Sequence, residues 1–282
     1  MKVIRSAAGM LTLARRLEQQ RRRVGFVPTM GALHQGHASL IRAARTRADV
    51  VIVSIFVNPL QFGPQEDYRR YPRPLRRDLR VARAAGADVI FAPSAEQLYP
   101  RGFQLRIHPG PLAERWEGQS RPGHFTSVAT VVALLLLLTR PADAYVGQKD
   151  YQQALVIERL ARDLRLPARV HILPTVRESD GLAMSSRNAY LSRAERAQAP
   201  ALFRALTRAA ERIRAGERRA EPLLDGLRRE ISEAADARVD YVAAADARAL
   251  KPVWRLRGRV ALLAAAWIGR TRLIDNLLVD VP

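Results

Sequence analysis

Val24-Gly25-Phe26-Val27-Pro28-Thr29-Met30-Gly31-Ala32-Leu33-His34-Gln35-Gly36-His37 decides the fold. Residues 24–28 read as an apolar strand, and the glycine-containing stretch after them leads into a helical pattern over residues 37–47. A strand, a tight turn and a helix start in that order leave unpaired N–H groups and about half a positive charge at the helix N-terminus. Such a terminus favours anions, phosphates above all. His34 and His37 stand one helical turn apart there, and each neutral imidazole adds an N–H donor without a full charge. On these residues alone two readings stay open: a phosphate site, or histidines that serve a turn and its core.

The same alternation continues outward. Further strands are expected at 50–56, 88–92, 144–146 and 169–173, with helices over 75–85, 126–138 and 151–164. Strands that read as continuous apolar runs belong to parallel sheets covered on both faces, so the expected fold class is α/β with a Rossmann-like, doubly wound parallel sheet. Ahead of it, Met10, Leu13, Ala14 and Leu17 mark an amphipathic helix. After Val176 the pattern changes. Apolar stripes at Leu202, Phe203, Leu206 and Ile213, then at Leu223, Leu224, Leu227 and Ile231, precede a strand at 239–243 and two strands about the Gly269-Arg270 turn. The expected organisation is a first domain over 1–176 and a smaller C-terminal α+β lid domain over 177–282.

Composition narrows the class of function. The 282 residues suit one large domain or two smaller ones, and 48% hydrophobic content is ordinary for a globular protein. With no cysteine, disulfides, thiolate catalysis and zinc–thiolate sites are excluded. Met1-Lys2-Val3-Ile4-Arg5 lacks the apolar core of a secretion signal. The longest apolar run, residues 131–138, is far short of the roughly 20 residues of a membrane span. A cytoplasmic location without a membrane partner is therefore expected. The net charge of +20 raises a nucleic-acid reading. Arginine is nevertheless spread along the whole chain, and Arg21-Arg22-Arg23 falls at a helix end where positive charge is favoured. No aromatic-rich basic strand that would stack bases is present. A solvated basic surface is expected, with general salt-sensitive affinity for polyanions rather than a specific nucleic-acid partner.

Each expected strand ends in a loop richer in polar residues than a connection requires. Val57-Asn58-Pro59-Leu60-Gln61-Phe62-Gly63 follows the second strand, Gly147-Gln148-Lys149-Asp150-Tyr151-Gln152-Gln153 the fourth, and Pro174-Thr175-Val176-Arg177-Glu178 the fifth. The last continues through Asp180-Gly181-Leu182-Ala183-Met184-Ser185-Ser186-Arg187-Asn188. Ligands of open α/β sheets bind beyond the carboxyl ends of the strands, where these loops gather.

With Pro28-Thr29-Met30-Gly31, His34-x-Gly36-His37, Ser54-Ile55-Phe56-Val57-Asn58-Pro59, Arg121-Pro122-Gly123-His124-Phe125, Gly147-Gln148-Lys149-Asp150, Met184-Ser185-Ser186-Arg187-Asn188 and the closing Leu273-Ile274-Asp275-Asn276, the chain resembles the pantoate–β-alanine ligase (pantothenate synthetase) family. His34-x-Gly36-His37 alone would indicate only the wider nucleotidyltransferase superfamily. The resemblance implies an ATP-dependent ligation: pantoate attacks the α-phosphate to give pantoyl adenylate and pyrophosphate, then β-alanine displaces AMP to give pantothenate. It also implies Mg2+ accompanying ATP, a mobile C-terminal lid, a homodimer and the cytoplasm. His37, His34, Lys149 and Arg187 become the expected catalytic residues, with His37 in the proton-donor role. ATP is expected on Met30, Gly31, Ala32, Leu33, His34, Gln35, Gly36 and His37, on Gly147, Gln148, Lys149 and Asp150, and on Val176, Met184, Ser185, Ser186 and Arg187. Gln61 and Gln153 are expected to hold pantoate, Gln61 to hold β-alanine as well, and Met30 and Phe62 to pack on pantoate's methyl groups.

The residue chemistry agrees independently. A carboxylate nucleophile needs no base at neutral pH, so the first barrier is electrostatic, an anion approaching a polyphosphate. Donors, cations and positioning are what such a step requires. Competing readings are a nucleotidyltransferase that keeps the nucleotide on its product, and a basic nucleic-acid platform. Against the family pattern, Val146 stands where phenylalanine is usual, Thr126-Ser127 where glycine is common, and Arg76-Arg77-Asp78 in place of a largely acidic stretch. The helix at 134–138 also lacks a polar residue often present there. Asp78 is the carboxylate that remains in that stretch, and if the stretch helps to hold magnesium, different metal handling is expected here. No metal ligand set follows from the sequence.

Overall fold

The computed structural model describes residues 1–64, 66–235 and 237–282, leaving aside the side chains of 234 and 235. The strands are β1 (Lys2–Ile4), β2 (Val24–Thr29), β3 (Val50–Ile55), β4 (Val89–Phe91), β5 (Asp143–Gly147), β6 (Arg169–Leu173), β7 (Arg238–Asp246), β8 (Gly258–Ile268) and β9 (Thr271–Val281). The helices are α1 (Ala7–Gln19), α2 (Gln35–Arg45), α3 (Leu75–Ala85), α4 (Ala95–Leu98), α5 (Glu117–Ser120), α6 (His124–Thr139), α7 (Tyr151–Asp163), α8 (Arg193–Gln198), α9 (Ala201–Arg214) and α10 (Ala220–Ala235).

β1 to β6 form one sheet in the order β1-β4-β3-β2-β5-β6, every pairing parallel. Side chains alternate across the strands. Phe26, Ile52 and Phe91 face a core shared with Met10, Ala14 and Leu17 of α1 and Val128, Val132 and Leu136 of α6. Val27, Val53 and Ile90 face the other core, with Ile41 and Ala44 of α2 and Ala82 of α3. Both faces are covered, as the apolar strand runs require. Strand order reverses between β2 and β5, which makes their carboxyl ends the crevice where such sheets bind ligands. The expected strands are all present, their ends shifted by a residue or two. β1 was not expected: three residues carry no period, and its pairing to β4 (Lys2 with Val89, Ile4 with Phe91) comes from tertiary context. α2 begins at Gln35, two residues before the expected start, for a reason given below.

β7, β8 and β9 form a separate antiparallel sheet whose last two strands meet at the two-residue Gly269-Arg270 turn. Leu202, Leu206 and Ile213 of α9 and Leu223, Leu227 and Ile231 of α10 pack with Val260, Leu262 and Ala264 of β8. The compact units are not divided by one cut. Residues 1–147 and 152–174 form the first; residues 148–151 and 175–282 form the second. A four-residue stretch that a division after Val176 would leave in the first unit thus belongs to the second.

Candidate active site

In the first unit, β2 ends at Thr29, whose hydroxyl donates to the Ser54 carbonyl (2.6 Å) and accepts from Gly31 N–H (3.1 Å). Gly31 and Ala32 then both take left-handed backbone, φ 82° and 49°. For Ala32 that conformation is strained, and something must hold it. Asp78 of α3, 1% exposed, accepts Ala32 N–H on one oxygen (2.9 Å) and Leu33 N–H on the other (2.8 Å). A Cβ at position 31 would lie 3.0 Å from Asp78 Oδ2, so glycine also provides room for the clamp. Burial pushes the Asp78 carboxyl above its ordinary range, with the two N–H groups pulling the other way. With both oxygens engaged by backbone N–H groups, Asp78 organises the loop. No group of three or more metal-ligating side chains occurs among the described residues.

The chain then enters α2 through a capping box built from imidazoles. His34 is the N-cap; its Nδ1 accepts from Gly36 N–H (3.1 Å), and its own N–H donates to His37 Nδ1 (3.3 Å). Serine or aspartate normally plays this part. The cap is why the helix starts at Gln35. Because each Nδ1 is an acceptor, each neutral ring carries its proton on Nε2. The rings lie 4.1 Å apart, centroid to centroid, and both are half-buried. The two readings left open by the sequence are thus compatible: one nitrogen of each histidine serves the turn, and the other is an N–H donor at the positive end of the helix.

Gln61 joins this rim. It is 9% exposed, and its Nε2 lies 2.9 Å from Met30 Sδ. Asn58 Nδ2 donates to Gln61 Oε1 (3.2 Å), and Tyr99 OH in turn donates to Asn58 Oδ1 (2.9 Å). Arg121 NH2 (3.2 Å) and His124 Nδ1 (3.0 Å) meet the Gln61 carbonyl. Arg121 also forks Glu66 with two 2.7 Å bonds. Burial opposes ionisation of Glu66, but Arg121 outweighs it and holds that carboxyl below the ordinary range. Arg121 and His124 therefore act on Gln61. Phe62 packs against Tyr68 and Tyr71 (5.4 and 5.8 Å). Gln153 is half-buried in the first turn of α7; its neighbour Gln152 is structural, donating to the Leu112 and Arg115 carbonyls. Gly147 closes β5 with open space where a Cβ would stand, and Val146 is buried in the core.

The second unit carries the remaining cations. Lys149 Nζ lies 3.5 Å from Asp150 Oδ1. Val176 and Met184 are joined by Met184 N–H to Val176 O (3.0 Å), across a hairpin that also bridges Arg177 and Ala183. Ser185 caps the short helix 186–190, its hydroxyl accepting Arg187 N–H (3.2 Å). Thr175 Oγ1 and Asn188 Oδ1, adjacent in sequence to Val176 and Arg187, are buried without a hydrogen-bond partner. The sequence reading missed Asp78 as a clamp, and missed Asp275 and Asn276 as supports for this unit. Partners of Asp78 lie 45 and 46 residues away, beyond any local pattern.

A doubly wound parallel sheet with a histidine-capped helix N-terminus at its switch point defines an α/β protein whose ligand crevice lies at the carboxyl ends of β2 and β5. A family model described as pantoate-beta-alanine ligase matches residues 2–278. A pantothenate synthetase of Moorella thermoacetica is 50% identical over 281 residues, covering 100% of this chain and 99% of the relative. A pantothenate synthetase structure from Thermus thermophilus superimposes with a TM-score of 0.93 at 46% identity, covering 98% of this chain and 99% of the other. A Francisella tularensis pantoate-beta-alanine ligase, solved with beta-gamma ATP and beta-alanine, gives 0.81 at 38% identity, covering 99% and 97%. The chain belongs to the pantoate–β-alanine ligase family.

Proposed function

We propose that the two histidine Nε2–H groups, Lys149 and Arg187 are the phosphate-handling groups of the ATP-dependent condensation of pantoate with β-alanine that defines this family. The capping box carries this reading, because it fixes both tautomers with their donors on Nε2. In the first step a pantoate carboxylate oxygen bonds to the α-phosphorus and the bond to the β-phosphate oxygen breaks, releasing pyrophosphate. No base is needed, and catalysis is charge stabilisation and alignment. His34 and His37 supply uncharged donors, Lys149 a compact charge, and Arg187 a fork for two oxygens. A proton passed from His37 Nε2 would leave an anion unless Nδ1 were protonated, and Nδ1 is occupied by His34 N–H. This favours His37 as a hydrogen-bond donor to developing charge over a full proton donor. In the second step the β-alanine amine attacks the acyl carbon, AMP leaves, and the nitrogen loses its proton.

Gln61, its amide oxygen held by Asn58, presents its NH2 to pantoate's hydroxyl and carboxylate oxygens and then to β-alanine; Gln153 is its counterpart. The stretch from Met30 through Leu33 to Gln35 and Gly36 lines the phosphates, Asp150 takes the ribose, and Gly147, Gln148, Val176, Met184, Ser185 and Ser186 complete the nucleotide contacts. The partnerless Thr175 and Asn188 atoms beside those residues support a polar ligand there. Magnesium accompanying ATP would be held chiefly by the phosphates and would add positive charge beside them. On the family resemblance we extend the proposal to a lid role for the second unit and to a homodimer in the cytoplasm; separately, no described helix is long and apolar enough to cross a membrane. Incubation with MgATP, pantoate and β-alanine tests the reaction: AMP and pantothenate are expected to accumulate in equal amounts, and a failure of both over a range of magnesium concentrations overturns it.

A further inference from the structure

We propose that Asn276, at the end of the chain, is a positioning residue for Lys149. This rests on the reading of Lys149 as a phosphate-handling cation. Residues 148–151 follow β5 in sequence, yet they belong to the second unit, and the hydrogen bonds say why. Asn276 on β9 is 2% exposed. Its Nδ2 donates to two successive carbonyls, Gln148 O (2.9 Å) and Lys149 O (3.0 Å), while its Oδ1 accepts from Gln148 Nε2 (3.1 Å). Tyr151 OH fastens the other end of the stretch to the Ala247 carbonyl, just beyond β7 (2.7 Å).

Only a primary amide meets this demand at once. Two donors face two backbone oxygens and one acceptor faces the glutamine amide, so aspartate would set a carboxylate against both carbonyls. A lysine side chain is long and flexible, and fixing its backbone on both sides limits where its ammonium can reach. The neighbouring Asp275 extends the support. It accepts a fork from Arg177 (2.6 and 2.9 Å) and Asn276 N–H (2.8 Å), while Arg177 also donates to the Gly181 carbonyl (3.0 Å). The dipeptide therefore holds both the Lys149 stretch and the base of the hairpin leading to Arg187, so that the two cations ride on one support.

A double-mutant cycle tests this. Asn276→Asp is measured with and without Lys149→Ala, reading pyrophosphate release from MgATP and pantoate, with a thermal melt of each protein. A misplaced ammonium predicts roughly a 10²-fold fall in rate from Asn276→Asp alone and a raised KM for ATP, with KM for pantoate unchanged. In the Lys149→Ala background the same substitution is expected to change nothing further. The same fold-loss in both backgrounds, or no loss in either, overturns the positioning role. A Lys149→Ala enzyme at full rate defeats the reading of Lys149 itself, a distinct result. Should Asn276→Asp not fold, Tyr151→Phe decides, with a smaller loss that vanishes in the Lys149→Ala background; a loss that persists there overturns the proposal.

Discussion

Two aspartates buried at opposite ends of the same sheet titrate in opposite directions. Asp143, the first residue of β5, sits at the amino ends of the strands with its side chain fully covered. Arg23 reaches it through Nε and NH2, both at 2.7 Å, and His171 Nε2 lies 2.7 Å from its other oxygen. Burial opposes its ionisation, but His171 and Arg23 outweigh burial and hold it below the ordinary carboxylate range. Asp78, at the carboxyl ends, has only backbone N–H groups on its oxygens, and burial pushes it up. At the amino end charge is answered by charge and the His171 ring is stacked on Tyr145, 4.8 Å away. At the carboxyl end the carboxylate shapes a loop, and the imidazoles that follow it give their Nδ1 atoms to the helix cap. Burial of an ionisable group does not by itself mark a site; what its partners leave available does.

The contrast can be broken by substitution. Asp143→Ala is expected to cost about 2 kcal/mol of stability in a denaturant melt, from the lost hydrogen bonds to Arg23 and His171, Arg23 being half exposed and free to hydrate, while activity per folded molecule is unchanged. Asp78→Asn is expected to cost about 2 kcal/mol, because an amide has one acceptor for two N–H groups and sets a donor against the second. It should also slow adenylate formation, since the loop it releases carries Ala32 into His34. Activity lost with Asp143→Ala but not with Asp78→Asn would invert the account.

A pH series sharpens it with smaller effects. The Asp143 carboxyl is depressed in the folded state, so its stabilisation is present above the ordinary carboxylate value of about 3.9 and is lost as pH falls through the folded value. Asp78 is raised, so wild type loses stability as pH rises from that ordinary value through the higher folded one. Melts of wild type against Asp143→Asn and Asp78→Asn should show pH slopes of opposite sign, and slopes of one sign would contradict the assignment of partners.

Much of the fold was readable in the chain because apolar runs and amphipathic stripes are local signals. The central strands, the α9 and α10 faces and the Gly269-Arg270 hairpin came from such periodicity. β1 did not, being three residues at a sheet edge with Lys2 and Val3 exposed. His34 and His37 were readable as a pair, but not as N-cap and N3, since imidazoles rarely fill those positions. The support of Lys149 by Asn276 spans 127 residues, and the Asp78 clamp forms only once α3 has packed beside α2. What the local sequence supplied was the candidate groups; what positions them is tertiary.

Pyrophosphate release from MgATP and pantoate, without β-alanine, by wild type and His37→Ala tests the central claim most directly. The account predicts a loss of about 10²–10³-fold in the variant, the worth of one preorganised donor to transition-state charge, with ATP binding partly kept. Undiminished release by a folded His37→Ala protein would contradict it.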